Sequence, residues 1–238
     1  MAGIQEVAEQ YITADTLAEK TALWMEDIAT YRWREIERVD STEAALLVVD
    51  MTRPFVDAGR PLASPNAAVI LPRVRELLAA FRGQARPVIW LVQGHHSVAA
   101  DRGQLLDFWW PSPILEGTPD VEVATGLSVD PGEKVILKRR YSGFYQTDLE
   151  LTLRSLKVSS VVVCGVLTNI CPYLTAFDAF YRGFRVYYPS DGTASLNEYL
   201  HLAALRSISA WAGYVVSCAE IVDWLRSTVP RHPGRSPV

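Results

Sequence analysis

Short apolar, β-branched runs alternate along this chain with segments in which apolar residues recur every three or four positions. The runs predict strands and the recurring positions predict helices. The predicted strands cover 44–49, 87–92, 134–137, 158–164, 185–188 and 214–217. Strands that alternate with helices in this way indicate a parallel sheet with helices on both faces. We therefore predict a three-layer α/β/α fold with a six-stranded parallel sheet.

The segment 1–40 precedes the first predicted strand and has a helical pattern of its own. Thr16 and Glu19 fit a capping box at the start of this helix. An apolar stripe follows, made of Leu17, Trp24, Ile28 and Tyr31. Such a stripe must leave water, either against its own domain or against a second subunit. Because the predicted sheet is already covered on both faces, we expect this N-terminal helical arm to mediate subunit contacts.

Composition limits the remaining choices. The chain has 238 residues, of which 49% are hydrophobic, which suits one α/β domain over 41–228 and a flexible tail over 229–238. A net charge of -4 argues against nucleic acid as a partner. No apolar run reaches the roughly 20 residues of a membrane span. The three cysteines, an odd number, favour a reducing compartment, so we expect a cytoplasmic protein without a membrane partner.

Cys171 lies where the predicted strand 158–164 passes into a helix, with Thr168 and Asn169 as candidate N-caps. Unpaired N–H groups and the helix dipole favour a thiolate there, which would lower the pKa of the cysteine and make it a nucleophile. The alternative is a small buried core cysteine, which is a common role for free cysteine.

Two other chemically apt residues also follow predicted strands. Asp50 follows the first strand and Lys138 follows the third. Taken alone, Asp50 could cap a helix and Lys138 could belong to a solvated turn. In a parallel sheet, however, the carboxyl ends of the strands share one edge, which could bring both residues to Cys171. Asp50 would then act as base and acid, Lys138 would hold developing charge, and Cys171 would attack a carbonyl to form a thioester.

Three ordered motifs resemble those of the isochorismatase-like cysteine hydrolases. They are VVDM at 48–51 with Phe55, KRRYSGF at 138–144, and GVLTNIC at 165–171 followed by TAFDAF at 175–180. The resemblance covers about residues 43–225 and implies a Rossmann-like sheet, with Asp50, Lys138 and Cys171 as the catalytic triad. It also implies a cis peptide between Val166 and Leu167, so that the N–H groups of Leu167 and Cys171 bind the oxyanion.

The chain departs from the family pattern at two positions. Thr52 stands where many members have glutamine, which could change the pocket floor. Pro172 stands where valine often follows the nucleophile. The oxyanion donors lie before Pro172 in the chain, so this second departure need not impair catalysis.

Nicotinamidase-like members of this family bind a metal through an Asp-x-His pattern after the second strand. Here the pattern is Gln93-Gly94-His95, and a neutral amide does not replace an anionic ligand. We therefore expect no metal and no cofactor, and Gln93 is a candidate to bind a substrate amide. His95 and His96 are either polar loop residues or ligands, and His201 is expected to be structural.

Isochorismatases of the siderophore type lack the cysteine, so Cys171 favours hydrolysis of a C–N bond over that of a vinyl ether. The closest motif likeness is to ureidoacrylate-type amidohydrolases, which implies a small amide, carbamoyl or ureido substrate. A vinyl-ether hydrolase and a catalytically silent binding protein remain alternatives. We also expect a homo-oligomer, either dimer or tetramer. The candidate substrate-binding residues are Phe55, Gln93, Trp110, Tyr141 and Tyr173, with Trp109 as a further wall candidate.

Overall fold

The computed structural model describes residues 8–60, 62–96, 101–109 and 113–227. Its strands are β1 (Ala44–Val49), β2 (Val88–Gln93), β3 (Lys134–Lys138), β4 (Ser160–Val166), β5 (Arg185–Pro189), β6 (Thr193–Ala194) and β7 (Tyr214–Val216). Its helices are α1 (Leu17–Ala29), α2 (Arg53–Val56), α3 (Pro65–Val69), α4 (Leu71–Gly83), α5 (Gln104–Trp109), α6 (Leu149–Ser155), α7 (Cys171–Tyr181), α8 (Glu198–Trp211) and α9 (Cys218–Arg226).

The six predicted strands form one sheet in the order β3-β2-β1-β4-β5-β7, and every neighbouring pair is parallel. This confirms the predicted fold class. The two-residue strand β6 also pairs with β4, and it was missed because two residues carry no periodic signal. All residues of β1 and β4 are buried, as their unbroken apolar runs predicted.

The strand order places a switch point between β1 and β4. From β1 the chain builds outward through β2 and β3, and then returns to add β4 on the other side of β1. Ligands of open α/β sheets bind in the crevice beyond the strand ends at such a point. The fold therefore locates the candidate site before any side chain is considered.

Gly165 lets β4 lie close to β1 at this point. Its φ is +115°, a conformation that L side chains rarely adopt. A Cβ atom added to Gly165 would lie 2.0 Å from the carbonyl oxygen of Val49, which is its partner in the β1–β4 register. Only glycine is compatible with this approach.

Helix α1 packs against α8 of its own domain. The indole of Trp24 donates a 2.7 Å hydrogen bond to Glu198, and Lys20 forms a 2.9 Å ion pair with the same carboxylate. Leu17, Trp24 and Ile28 are buried, whereas Tyr31 is 43% exposed. The expectation that this stripe needs a second subunit is therefore wrong for its three buried members. The chain supplies their partner itself.

Two predicted helix starts are wrong in detail. Thr16 precedes α1, but its hydroxyl accepts a hydrogen bond from the N–H of Thr13 and does not cap the helix. Thr168 and Asn169, the predicted caps of α7, do not cap that helix either, whereas the side chain of Asn197 accepts a hydrogen bond from the N–H of Leu200 and caps α8. Which of several neighbouring polar residues caps a helix depends on the other hydrogen bonds, local and tertiary, that each side chain can make.

Every helix in the described part of the chain is too short or too polar to cross a membrane. The tail predicted over 229–238 lies outside the described residues.

Candidate active site

The three candidate catalytic residues meet at the switch point. Asp50 follows β1, Lys138 ends β3 and Cys171 begins α7, directly after the turn that leaves β4. The Lys138 ammonium lies 2.8 Å from Oδ2 of Asp50, and both side chains are almost fully buried. The Cys171 thiol is close enough to both groups for their charges to shift its pKa in opposite directions, since Lys138 lowers it and Asp50 raises it. Residues from three separate parts of the sequence thus form one cluster, since the parallel strands end at one edge.

The carboxylate of Asp50 is held from two sides. Its Oδ1 accepts a 2.8 Å hydrogen bond from the N–H of Gln93, while Oδ2 faces Lys138. The backbone of Asp50 has φ of 51°, in the left-handed region. Non-glycine residues seldom adopt this conformation, and such residues are concentrated at functional sites.

Burial and charge set opposite preferences for Lys138 and Cys171. Burial alone would lower the pKa of Lys138, but the neighbouring Asp50 and Cys171 outweigh it, so the pKa is raised and the ammonium persists. Burial raises the pKa of Cys171 well above its ordinary value, and the charge of Lys138 only partly opposes this shift. The predicted lowering of the Cys171 pKa is therefore wrong. The resting group is a thiol, which needs a base to take its proton.

The turn between β4 and α7 presents two backbone donors. The peptide bond between Val166 and Leu167 is cis. Within the described part of the chain, neither the N–H of Leu167 nor that of Cys171 donates a hydrogen bond to another backbone group. Cys171 is the first residue of α7, where an N–H has no partner inside the helix. Both groups are thus available to an oxyanion near the thiol.

Thr168 and Asn169 do not cap α7, contrary to the prediction, because their side chains bind elsewhere. The hydroxyl of Thr168 lies 2.8 Å from Nδ1 of His201, which is fully buried on α8. The side-chain oxygen of Asn169 accepts a 2.5 Å hydrogen bond from Ser195. These bonds anchor the turn that carries the thiol, and His201 has the expected structural role.

A cavity of about 40 Å³ opens beside the thiol. Its lining includes three of the predicted substrate-binding residues, Phe55, Gln93 and Tyr141. The cavity is also lined by residues that were not among the predicted substrate-binding residues, namely Leu62, His95, Arg102, Leu106, Pro113, Ile114, Val166 and Ile170. Several of them lie in the segment after β2, which has little periodic pattern to signal their position. The cavity thus lies directly beside the thiol and is lined mainly by apolar side chains.

Two other predicted wall residues have different positions. The hydroxyl of Tyr173 lies 2.8 Å from that of Ser207, on α8, and Tyr173 is absent from the described lining of the cavity. It was mispredicted because the first turn of α7 points this side chain toward the neighbouring helix. Trp109 is 71% exposed, and Trp110 lies outside the described residues.

The polar wall of the cavity has a defined hydrogen-bond direction. Lys138 donates a 2.9 Å hydrogen bond to Oε1 of Gln93. The amide nitrogen of Gln93 therefore faces His95, whose Nε2 lies 2.7 Å away. Because an amide nitrogen can only donate, Nε2 of His95 accepts. Burial lowers the pKa of His95, in keeping with a neutral ring that carries its proton on Nδ1.

The residues near this wall do not fit a resident metal ion. His96, Asp101 and Glu116 have ligand atoms within 4.8 Å of one another. The guanidinium of Arg139 already contacts both carboxylates, however, with Nε 2.8 Å from Asp101. The carboxamide of Gln93 is held by Lys138. We assign no metal to the chemistry of this site.

The fold and the site together define a three-layer α/β protein with a small buried pocket at the switch point of its sheet. The family model for the Isochorismatase domain matches residues 44–220, and the chain belongs to this family.

Individual relatives agree with that assignment. The chain is 34% identical over 184 residues to Nicotinamidase 3 of Arabidopsis thaliana, a match that covers 76% of this chain and 88% of that protein. It is 29% identical over 203 residues to Ureidoacrylate amidohydrolase RutB of Methylobacterium radiotolerans, covering 76% and 79% of the two chains. The crystal structure of a cysteine hydrolase from Pseudomonas syringae pv. phaseolicola superposes with a TM-score of 0.77 at 27% identity, over 80% of this chain and 95% of that one.

Proposed function

We propose that this protein is a cysteine-dependent amidohydrolase that cleaves the non-peptide C–N bond of a small amide, carbamoyl or ureido compound. The observation that carries the proposal is the buried ion pair of Lys138 and Asp50, 2.8 Å apart, whose charges both act on the Cys171 thiol. Relatives named as a nicotinamidase and a ureidoacrylate amidohydrolase support the same bond type.

The first half of the reaction forms a thioester. Asp50 takes the proton of the Cys171 thiol as the sulfur attacks the substrate carbonyl carbon. The N–H groups of Leu167 and Cys171 stabilise the tetrahedral oxyanion. Asp50 then passes its proton to the leaving nitrogen, the C–N bond breaks, and ammonia or an amine departs. Lys138 remains charged throughout and offsets the negative charge that passes between sulfur and carboxylate.

The second half returns the enzyme to its resting state. Asp50, again a carboxylate, takes a proton from a water molecule that attacks the thioester carbon. The intermediate collapses, the C–S bond breaks, and the Cys171 sulfur regains a proton from Asp50 as the acid leaves. The raised pKa of Cys171 favours this reprotonation. Burial of the cluster strengthens each electrostatic interaction along this path.

The test is turnover by variants of Cys171. Purified protein is assayed for ammonia release from nicotinamide, N-carbamoyl amino acids and ureido acids, with Cys171→Ala and Cys171→Ser compared with the unaltered chain. We expect kcat to fall at least about a thousandfold in both variants. Cys164→Ala is the matched control, because Cys164 is buried within β4, and it should change kcat by less than about threefold.

Two outcomes would contradict the proposal. Near-normal amide hydrolysis by either Cys171 variant would exclude the thioester. Cleavage of a vinyl ether by Cys171→Ala, without amide turnover by the unaltered chain, would instead favour the isochorismatase-type reaction, which needs an acid but no nucleophilic thiol.

Mass spectrometry of the acid-quenched reaction should show the acyl group on Cys171.

A further inference from the structure

Arg139 joins three separate segments of the chain beside the pocket. It directly follows Lys138 at the end of β3. Its Nη1 donates a 2.6 Å hydrogen bond to the carbonyl oxygen of Gly94, and its Nε lies 2.8 Å from Asp101. Its Nη2 contacts the carboxylate of Glu116. A planar guanidinium suits this task, because its donors are fixed in a fork.

Asp101 connects Arg139 to residues nearer the pocket. One carboxylate oxygen binds Arg139 and accepts a 3.1 Å hydrogen bond from the N–H of His96. The other oxygen lies 3.5 Å from Nδ1 of His95. Both of those atoms are buried and have no hydrogen-bond partner in the described chain. Asp101 therefore faces the ring nitrogen that carries the His95 proton.

His95 connects this carboxylate to the reacting residues. Its Nε2 accepts from the amide nitrogen of Gln93, and Oε1 of the same amide accepts from Lys138. If His95 presented a donor at Nε2, the amide of Gln93 would have to rotate and would turn its own donor toward the Lys138 ammonium. The orientation of the Gln93 carboxamide thus depends on the tautomer of His95. The position of the Lys138 ammonium depends in turn on that orientation, because Oε1 of Gln93 accepts its hydrogen bond.

We propose that Arg139 is a positioning residue for the reaction, and that its guanidinium stands in the cluster of His96, Asp101 and Glu116 in place of a metal ion. Two carboxylates this close repel each other and need a cation between them. Arg139 supplies the positive charge and, through Asp101 and His95, fixes Gln93 against Lys138. The effect on catalysis rests on the proposed function, whereas the replacement of a metal does not.

The experiment removes the guanidinium and measures metal binding and turnover separately. Arg139→Ala is titrated with Mn²⁺ alone by calorimetry, since imidazole and carboxylate groups suit this ion. We expect saturable binding of one Mn²⁺ by Arg139→Ala and none by the unaltered chain. Adding Asp101→Asn to Arg139→Ala should abolish the gained binding. Arg226→Ala, which removes an exposed arginine on α9, is the matched control and should gain no binding.

Turnover supplies the second measurement. Residues that orient the ligands of a metal site typically contribute 10- to 100-fold to activity, and we expect an effect of similar size from Arg139. We expect kcat of Arg139→Ala to fall by about that factor with KM changed less than about threefold, because the lining of the pocket other than Gln93 and His95 does not depend on Arg139. Arg139→Lys keeps the positive charge but loses the forked geometry of the guanidinium. Its kcat should therefore lie between those of Arg139→Ala and the unaltered chain.

Three results would overturn the proposal. They are an Arg139→Ala variant with unaltered kcat, no gain of Mn²⁺ binding in that variant, or Mn²⁺ binding to the unaltered chain that Asp101→Asn removes. Should Arg139→Ala fail to fold, unaltered kcat in Arg139→Lys would overturn the proposal in the same way. If Cys171→Ala still hydrolysed the amide, the proposed function would fail while the Mn²⁺ result would still decide the role of the guanidinium.

Discussion

At the residue scale, the side chain of Cys171 shows that position in a helix and burial can favour opposite states of a thiol. The start of α7 favours a thiolate, and this was the basis of the sequence prediction. Burial acts in the other direction and dominates, since Cys171 is only 8% exposed. The sequence predicted the position of Cys171 at a strand end. It did not predict the burial of the thiol, because burial depends on segments that are distant in the chain.

Replacement of Asp50 is predicted to have opposite effects on the reactivity of the Cys171 thiol and on amide hydrolysis. Asp50 raises the pKa of Cys171 through its charge and its hydrogen bond. Asp50→Asn should therefore lower the pKa of Cys171 and speed its alkylation by iodoacetamide at pH 7.5, while amide hydrolysis is lost. The rate of alkylation is measured by peptide mapping in the absence of substrate.

Lys138→Met is the companion variant, since Lys138 lowers the pKa of Cys171. It should slow both alkylation and hydrolysis. Equal alkylation rates in Asp50→Asn and the unaltered chain would contradict the effect of Asp50 on the pKa of Cys171, and retained hydrolysis in Asp50→Asn would contradict its role as the proton acceptor.

At the element scale, the N-terminal arm was predicted as a helix, but its partner was not. Periodicity shows which face of a helix avoids water, and it carries no information about which surface receives that face. The partner is α8, where Trp24 packs on His201 with ring centroids 4.5 Å apart. The expected homo-oligomer remains a prediction, and it no longer depends on the buried part of the stripe.

The contact between α1 and α8 should make stability depend on pH through His201. Burial lowers the pKa of His201 from 6.5 to about 3 in the folded chain. Between those pH values the unfolded chain binds more protons, so stability rises with pH across this window and falls as the solution is acidified. The slope should approach about 1.4 kcal/mol per pH unit in the middle of the window.

Urea unfolding of the chain at several pH values between 3 and 7 measures this slope. His201→Gln should reduce the slope, whatever its effect at neutral pH, because the titrating group is absent. A slope that persists in His201→Gln would assign the acid sensitivity to other groups.

At the scale of the whole molecule, the order of the strands decides where the chemistry lies. The predicted parallel sheet put Asp50, Lys138 and Cys171 at one edge, and the structure brings them together there. The pocket wall was harder to predict, as Tyr173 shows, because side-chain direction depends on tertiary contacts. Arg139 was missed altogether, since a basic turn has the same local pattern whether it is solvated or anchored.

The assembled site also predicts independence from divalent metals. Hydrolysis of the best amide substrate should be unchanged after exhaustive dialysis against EDTA, because the charge that assists the thiol comes from Lys138 and the nearby carboxylates are bound by Arg139. Ammonia release before and after dialysis is the measurement. Loss of activity that Mn²⁺ or Zn²⁺ restores would contradict this assignment.

The close approach of Gly165 to Val49 has a consequence for how relatives of this chain are classified. A methyl group at position 165 would meet the carbonyl oxygen of Val49 and push away the strand whose next residue is Asp50. The distance between the base Asp50 and the nucleophile Cys171 thus depends on Gly165, a residue that has no side chain. A homologue that retained the aspartate, lysine and cysteine but carried alanine here would pass a motif search as an enzyme and yet have lost the spacing on which turnover depends.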